Sequence, residues 1–168
     1  MSAQPRALTA LLIIGLCGTG LACHKGAEKD AAMIELRPVV ASNPGPCPKK
    51  APHKDEIVRP LTTDNKTECL ELGKPIVDAK DVRSATTAQD PSGAPALSLV
   101  LGSVGGANLD GFAGRNLGKR LAILADGAVV NAPTVNYSSF AGRIQVSGLS
   151  GDKTADLFRR LNEMIKKG

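Results

Sequence analysis

The sequence predicts an α+β fold: one small domain with a mainly antiparallel sheet and helices packed on one face. Three observations carry this reading. Leu121-Ala122-Ile123-Leu124-Ala125 and Ala128-Val129-Val130 flank Asp126-Gly127, and Asp-Gly between apolar runs is the strongest short-range hairpin signal. Leu157, Phe158, Leu161, Met164 and Ile165 recur at helical spacing on one face of the final segment. Ala96-Leu97-Ser98-Leu99-Val100-Leu101 reads as a buried strand.

The remaining elements follow in chain order. Met33 to Val40 alternates apolar and polar residues before it meets Pro38, which places the end of a strand at a sheet edge. Residues 41–65 are rich in Pro, Lys and small polar residues, including Pro44-Gly45-Pro46-Cys47-Pro48; that composition argues against a ladder and predicts a long surface loop. Glu68-Cys69-Leu70-Glu71-Leu72 is a short apolar stretch running into Gly73, Asp81 to Thr87 has strand character, and Gln89 to Pro95 is a turn. Gly102-Ser103-Val104-Gly105-Gly106 loosens the chain, and Asp110 to Asn116 carries a weak helical pattern with Phe112 inward. The hairpin supplies two central strands with Leu121, Ile123, Val129 and Val130 as core, and Pro133 ends the second so that Thr134 to Tyr137 turns out at the sheet edge. Arg143 to Ser147 is a further strand. The final helix opens on Ser150 as N-cap with Asp152 in its first turn and closes on Lys166-Lys167, matching the helix dipole.

Composition narrows the function classes. At 168 residues there is room for one ordinary domain plus appendages, and only 2% of residues are aromatic. A core of Val, Ile, Leu and Ala suits a small sheet-plus-helix body better than a large ligand cavity. The formal net charge of +5 is scattered along the chain, without the basic stripe and aromatic platforms of a nucleic-acid reader. Nucleic acid is therefore not an expected partner.

The first 22 residues are of another kind. Arg6 precedes an apolar run from Ala7 to Leu16, too short for a comfortable membrane span, and small residues follow up to Ala22-Cys23. This is the pattern of a secretory leader, to be cut away or, as a third alternative, kept as an uncleaved anchor. Two cuts are open: a general signal peptidase acting at the small residues, which yields a secreted protein, or cleavage before Cys23 with acylation of that cysteine as a lipid anchor. Residues 23–32, polar and small, then serve as a flexible tether to a domain at 33–168. Export leaves Cys47 and Cys69 in an oxidising compartment, where a disulfide is the default. A metal site is not expected, since there is no CxxC and the only histidines are His24 and His53.

Catalytic motifs fail on inspection. Gly111 to Arg120 suggests a phosphate loop, but Ala113 stands where the first glycine is required and Arg120 where a magnesium-binding hydroxyl is required, so no nucleotide is expected. A Ser-His-Asp set needs a histidine in the folded body, whereas His24 lies in the tether and His53 in the proline-rich loop. The chain reads as non-enzymatic and free of cofactors.

Arg120 to Val135, centred on Asp126-Gly127 and ending in Ala132-Pro133, resembles the hairpin of SecD and SecDF, the protein-export subunits of the bacterial Sec translocase. Arg143-Ile144-Gln145-Val146-Ser147-Gly148 is similar to the following strand of that family and Ala155-Asp156-Leu157 to the helix after it; Asn116 to Arg120, Leu36-Arg37-Pro38-Val39 and Cys69 to Gly73 are similar to other family segments. The resemblance implies the head part of the first large periplasmic domain, a bacterial extracytoplasmic setting, and a capacity to touch polypeptides. The family's helix before the hairpin is longer than Asp110–Asn116, and its proton-coupling membrane helices have no counterpart in this sequence, so a translocation motor is not implied. The expectation is a membrane-anchored binding module whose partner is a secreted polypeptide or an envelope or export protein. Tyr137, Phe140 and neighbouring Asn136 are the candidate contacts, with core packing the competing role for Phe140. The alternatives are a structural envelope lipoprotein and a small-ligand or enzymatic domain built on converging carboxylates.

Overall fold

The computed structural model describes residues 33–63 and 66–168; the expected leader, the expected tether and Cys23, the expected lipid-anchor position, lie outside the described residues. In chain order the elements are β1 (Ile34–Pro44), β2 (Ile57–Thr63), β3 (Lys66–Leu72), β4 (Val77–Asp78), a 3-10 turn (Ala79–Asp81), β5 (Val82–Gln89), β6 (Pro95–Leu101), α1 (Ser103–Arg115), β7 (Leu121–Ala125), β8 (Ala128–Asn131), β9 (Arg143–Val146) and α2 (Gly151–Ile165). The α+β class holds, with all pairings among the described residues antiparallel. There are two sheets rather than one: β2-β3-β1-β7-β8, with β4 also on β1, and a three-stranded β5-β6-β9. α2 packs on β5 and β6, and α1 against β4 and β6.

Pro38 does not end the first strand. Ile34 to Pro38 pairs with β7, and Val39 to Pro44 pairs with β3 after a register shift between Val39 and Ala41. Proline removes one donor, which matters only where a ladder needs it. Here Pro38 stands at the handover: its carbonyl accepts from Gly73 N–H at 3.0 Å, and the next N–H, of Val39, reaches Arg120 O at 3.1 Å. The proline-rich loop is likewise shorter than residues 41–65. β1 runs to Pro44 and β2 begins at Ile57. Pro60 fits β2 because that strand is last in the sheet order, where a missing N–H can face outward. The Cys47–Cys69 disulfide ties the true loop, 45–56, to β3 with a Cα–Cα distance of 4.9 Å.

The first sheet curls until its ends meet. Arg59 Nε on β2 donates to Gly127 O in the hairpin turn at 2.9 Å. Leu61, Leu70, Leu72, Ala122, Leu124 and Ala132 fill the space enclosed by the curl. The larger core lies on the other side, between the two sheets and the helices, and takes Ile34, Leu36, Leu97, Leu99, Leu109 and Leu161 among others. β7 serves both: Leu121, Ile123 and Ala125 enter the large core, and Ala122 and Leu124 the small one. This is why it reads as an unbroken apolar run, since alternate side chains of a strand point to opposite faces. Asp126 and Gly127 turn with φ of 49° and 75°, as a type I′ hairpin demands. Only β7 is central; β8 ends the sheet order, and Val129 and Val130 are half-buried.

Two helices depart from local propensity to different degrees. α1 begins at Ser103 and contains the glycines that read as a loosened chain. Both Gly105 and Gly106 are buried; a Cβ on Gly105 would lie 2.5 Å from Asp81 Cβ, and one on Gly106 would lie 3.4 Å from Gly142 Cα. Close packing, not flexibility, explains them. Phe112 packs inward as expected. α2 buries Leu157 and Leu161 and packs Phe158, Met164 and Ile165 against the same core. Ser150 occupies the N-cap position, but its side chain makes no capping bond, and it is Ser150 O that accepts from Thr154 N–H and Oγ1, both at 2.9 Å. Lys166 stands at the C-cap and Lys167 beyond it, so no basic residue lies within the last turn itself.

Candidate functional site

Beyond β8 the chain does not leave the sheet at Pro133. A bulge between Ile123 and Leu124 absorbs the irregularity, and pairing resumes: Leu121 N–H donates to Pro133 O at 2.9 Å and Val135 N–H to Lys119 O at 2.8 Å. The segment then crosses to β9 in the second sheet. Asp110 on α1 holds this crossing, accepting from Phe140 N–H at 2.7 Å and from Ser139 Oγ at 2.8 Å. Phe140 is thereby turned half-inward, while Tyr137 remains 72% exposed.

Asn136, Tyr137 and Phe140 all line one cavity of about 220 Å³, floored by Leu36, Leu109 and Leu121 and walled on its far side by β9. The three predicted contact residues are thus brought together, and Phe140 both packs on the core and faces the cavity. Small-molecule pockets are commonly about 300–1,000 Å³, so this volume suits a side chain or two. Among the described residues its lining holds no carboxylate and one charged residue, Arg143. Sequence reasoning missed two parts of this site. Asp110 reads only as a helix-start acid, and the β9 wall carries no local signal.

A second, open cleft of about 450 Å³ lies between the hairpin turn and the start of α2, and Asp126, Asp152 and Asp156 line it. This is the carboxylate convergence that an enzymatic reading requires. Two of the three are held in ion pairs. Asp126 binds Arg160 through both oxygens at 2.8 and 2.7 Å, and Asp156 accepts from Arg159 at 2.6 Å and Arg160 at 2.8 Å. The bonds from Arg159 and then Arg160 hold the Asp156 carboxyl below the usual carboxylate range, opposite to the shift a general acid needs. Chemically, the cluster braces α2 against the hairpin. Among the described residues no group of three or more His, Cys, Asp or Glu is placed to hold a metal ion.

A further ion pair stands beside the crossing that frames the cavity. Arg120 grips Glu68 on β3 at 2.7 and 2.9 Å and donates its Nε to Ala132 O at 3.0 Å. The Arg120 bond, then one from Ser42 Oγ, holds the Glu68 carboxyl below its ordinary range. A depressed folded pKa gives stability that is present above the unfolded pKa and lost as pH falls through the folded one. The wild type should therefore lose more stability than Glu68→Gln between about pH 5 and pH 3, by up to about 1 kcal/mol for a pair this near solvent. Urea midpoints at the two pH values check it; equal losses would show that the pair adds nothing.

A family model described as the SecDF P1 head subdomain matches residues 55–164. The chain is 32% identical over 95 residues to protein translocase subunit SecD of Acidaminococcus fermentans, covering 54% of this chain and 23% of that protein. It is 33% identical over 85 residues to the subunit SecDF of Thermus thermophilus, covering 51% of this chain and 12% of that protein. It is also 34% identical over 94 residues to SecD of Aquifex aeolicus, covering 56% and 18%. The chain thus spans less than a quarter of the length of these three curated relatives. Among solved structures it is similar to a SecDF described as a membrane component that enhances protein export, with TM-score 0.54 and 26% identity over 76% of this chain and 62% of that one. A SecDF in super-membrane-facing form gives TM-score 0.55 and 26% identity over 77% of this chain and 19% of that one. The resemblance read from the hairpin, the strand and the final helix is borne out. Since the matched residues run from just before β2 into the last turn of α2 and take in Asn136, Tyr137, Phe140 and the β9 wall of the cavity, the chain belongs to the SecDF P1 head subdomain family.

Proposed function

We propose that this chain is a non-catalytic, extracytoplasmic module of protein export that contacts a polypeptide through the cavity beside Tyr137. The carrying observation is the convergence of Asn136, Tyr137 and Phe140 on one apolar, carboxylate-free cavity, with Tyr137 largely exposed at its mouth. A large exposed aromatic beside an apolar pocket is the usual make-up of a binding hot spot. The Cys47–Cys69 disulfide is in keeping with an oxidising compartment, and the relatives are translocase subunits by name. In this reading residues 1–22 direct export and Cys23 carries the lipid that keeps the domain at the membrane. No helix among the described residues is long and apolar enough to cross a membrane.

The test uses the purified chain and a permanently unfolded secretory protein labelled for fluorescence anisotropy. Tyr137→Ser should weaken binding about tenfold, the effect of truncating an aromatic anchor, without moving the melting temperature. Val104→Ser, at a 69% exposed site on α1, should leave binding unchanged. Equal affinities for wild type and Tyr137→Ser would remove the groove from the account.

A further inference from the structure

Among the described residues β9 is the outermost strand of the second sheet and pairs on one side only, with β6. Its register determines which main-chain groups are occupied. Leu101 N–H donates to Gly142 O at 2.8 Å, and hydrogen-bonded positions recur at every second residue of an antiparallel pair. Ile144 and Val146 therefore turn their main-chain groups toward β6, and Arg143 and Gln145 turn theirs away. Arg143 N–H is taken up by Phe140 O at 3.0 Å. The outer side is left with Arg143 C=O, Gln145 N–H and Gln145 C=O, a row of acceptor, donor and acceptor at strand spacing. Both residues also line the cavity.

Another extended backbone matches that row along its whole length, because its own N–H and C=O groups alternate at the same spacing. Charge points the same way. Arg143 is the one charged residue of the lining, and among the described residues its guanidinium takes part in no ion pair.

We infer that Arg143 to Gln145 is a strand-addition site. An extended segment of another polypeptide, apolar at alternate positions with a carboxylate beside them, pairs with the outer edge of β9, sets an apolar side chain into the cavity and neutralises Arg143. The inference rests on the reading of the cavity as a polypeptide site and adds the mode and the chemistry of the ligand. Tyr137, exposed and lining the same cavity, would then pack against the added strand.

The test uses the full chain and a ten-residue peptide of alternating Val and Thr with a central Glu, followed by anisotropy. A second peptide carries Lys in place of Glu, and a third has alternate backbone nitrogens methylated. Gln145→Pro removes the outward N–H at an edge position that tolerates proline and spares the ladder bonds of Ile144 and Val146. Gln145→Ala keeps that N–H and loses only the side-chain bond to Gln89 O, at 3.1 Å. Wild type and Gln145→Ala should bind alike. The methylated peptide should bind wild type about tenfold more weakly, as the loss of two main-chain bonds predicts, and Gln145→Pro, which removes one, should weaken binding about fivefold. Arg143→Glu should reverse the preference for Glu over Lys. Circular dichroism reports whether Gln145→Pro folds; if it does not, the methylated peptide on wild type decides alone. Undiminished binding of that peptide would overturn strand addition, and the cavity reading would survive if Tyr137→Ser still weakened binding. If Tyr137→Ser had no effect either, or no peptide bound, both would fall.

Discussion

Replacing Gly148 with alanine should destabilise the domain by about 3 kcal/mol, from two separate causes. Gly148 follows β9 with φ of +88°, a left-handed conformation that costs other residues about 1–2 kcal/mol. A Cβ there would also lie 2.7 Å from Val130 O in β8. That oxygen belongs to the main chain of a paired strand, so relief requires moving the strand or the loop into α2, at the about 1–3 kcal/mol typical of overpacking. Gly118, with φ of +78° and open space at the Cβ position, isolates the first cause; Gly118→Ala should cost about 1 kcal/mol. Urea unfolding at constant m-value measures both. Equal losses at the two sites would show that the β8 contact relaxes freely.

Removing the disulfide should have an effect of similar size. Cys47 and Cys69 lie 22 residues apart, and closing a loop of that length contributes about 3 kcal/mol by restricting the unfolded chain. This is a sizeable share of the roughly 5–15 kcal/mol that holds a domain together. Cys69 is 4% exposed on β3, so reductant reaches the bond from the loop side. Dithiothreitol should lower the melting temperature of the wild type and leave that of the Cys47→Ala, Cys69→Ala double variant unmoved. A change below about 1 kcal/mol would mean that the loop is already ordered when the chain is unfolded and reduced, or that the bridge strains the native state.

Much of the fold was legible where local chemistry and tertiary structure agree. The Asp126-Gly127 turn, the buried strand before Gly102 and the amphipathic final helix each declare themselves within a few residues. The errors share one origin. Pro38, Pro60, Gly105 and Gly106 were read for what they do to an isolated element, and in the fold each meets a neighbour that makes its defect harmless or useful. A proline costs nothing where no ladder bond is required, and glycine's poor helix propensity is outweighed where Asp81 leaves no room for a methyl group. Strand partnership was not legible at all: nothing in Arg143 to Ser147 says that it joins the buried strand Pro95–Leu101 rather than the hairpin that precedes it. The site divides along the same line. Tyr137 and Phe140 are conspicuous in a chain this poor in aromatics, whereas Asp110 and the open side of β9 become visible only once the crossing and the register are known.

β7 belongs to both hydrophobic bodies at once, giving three side chains to one and two to the other. A strand with this double membership acts as a mechanical coupling: neither body can swell or empty without shifting the backbone that seals the other. The curl and the helix-backed half should therefore come apart together, in one cooperative melting event, and a cavity made on one side of β7 should loosen amides on both.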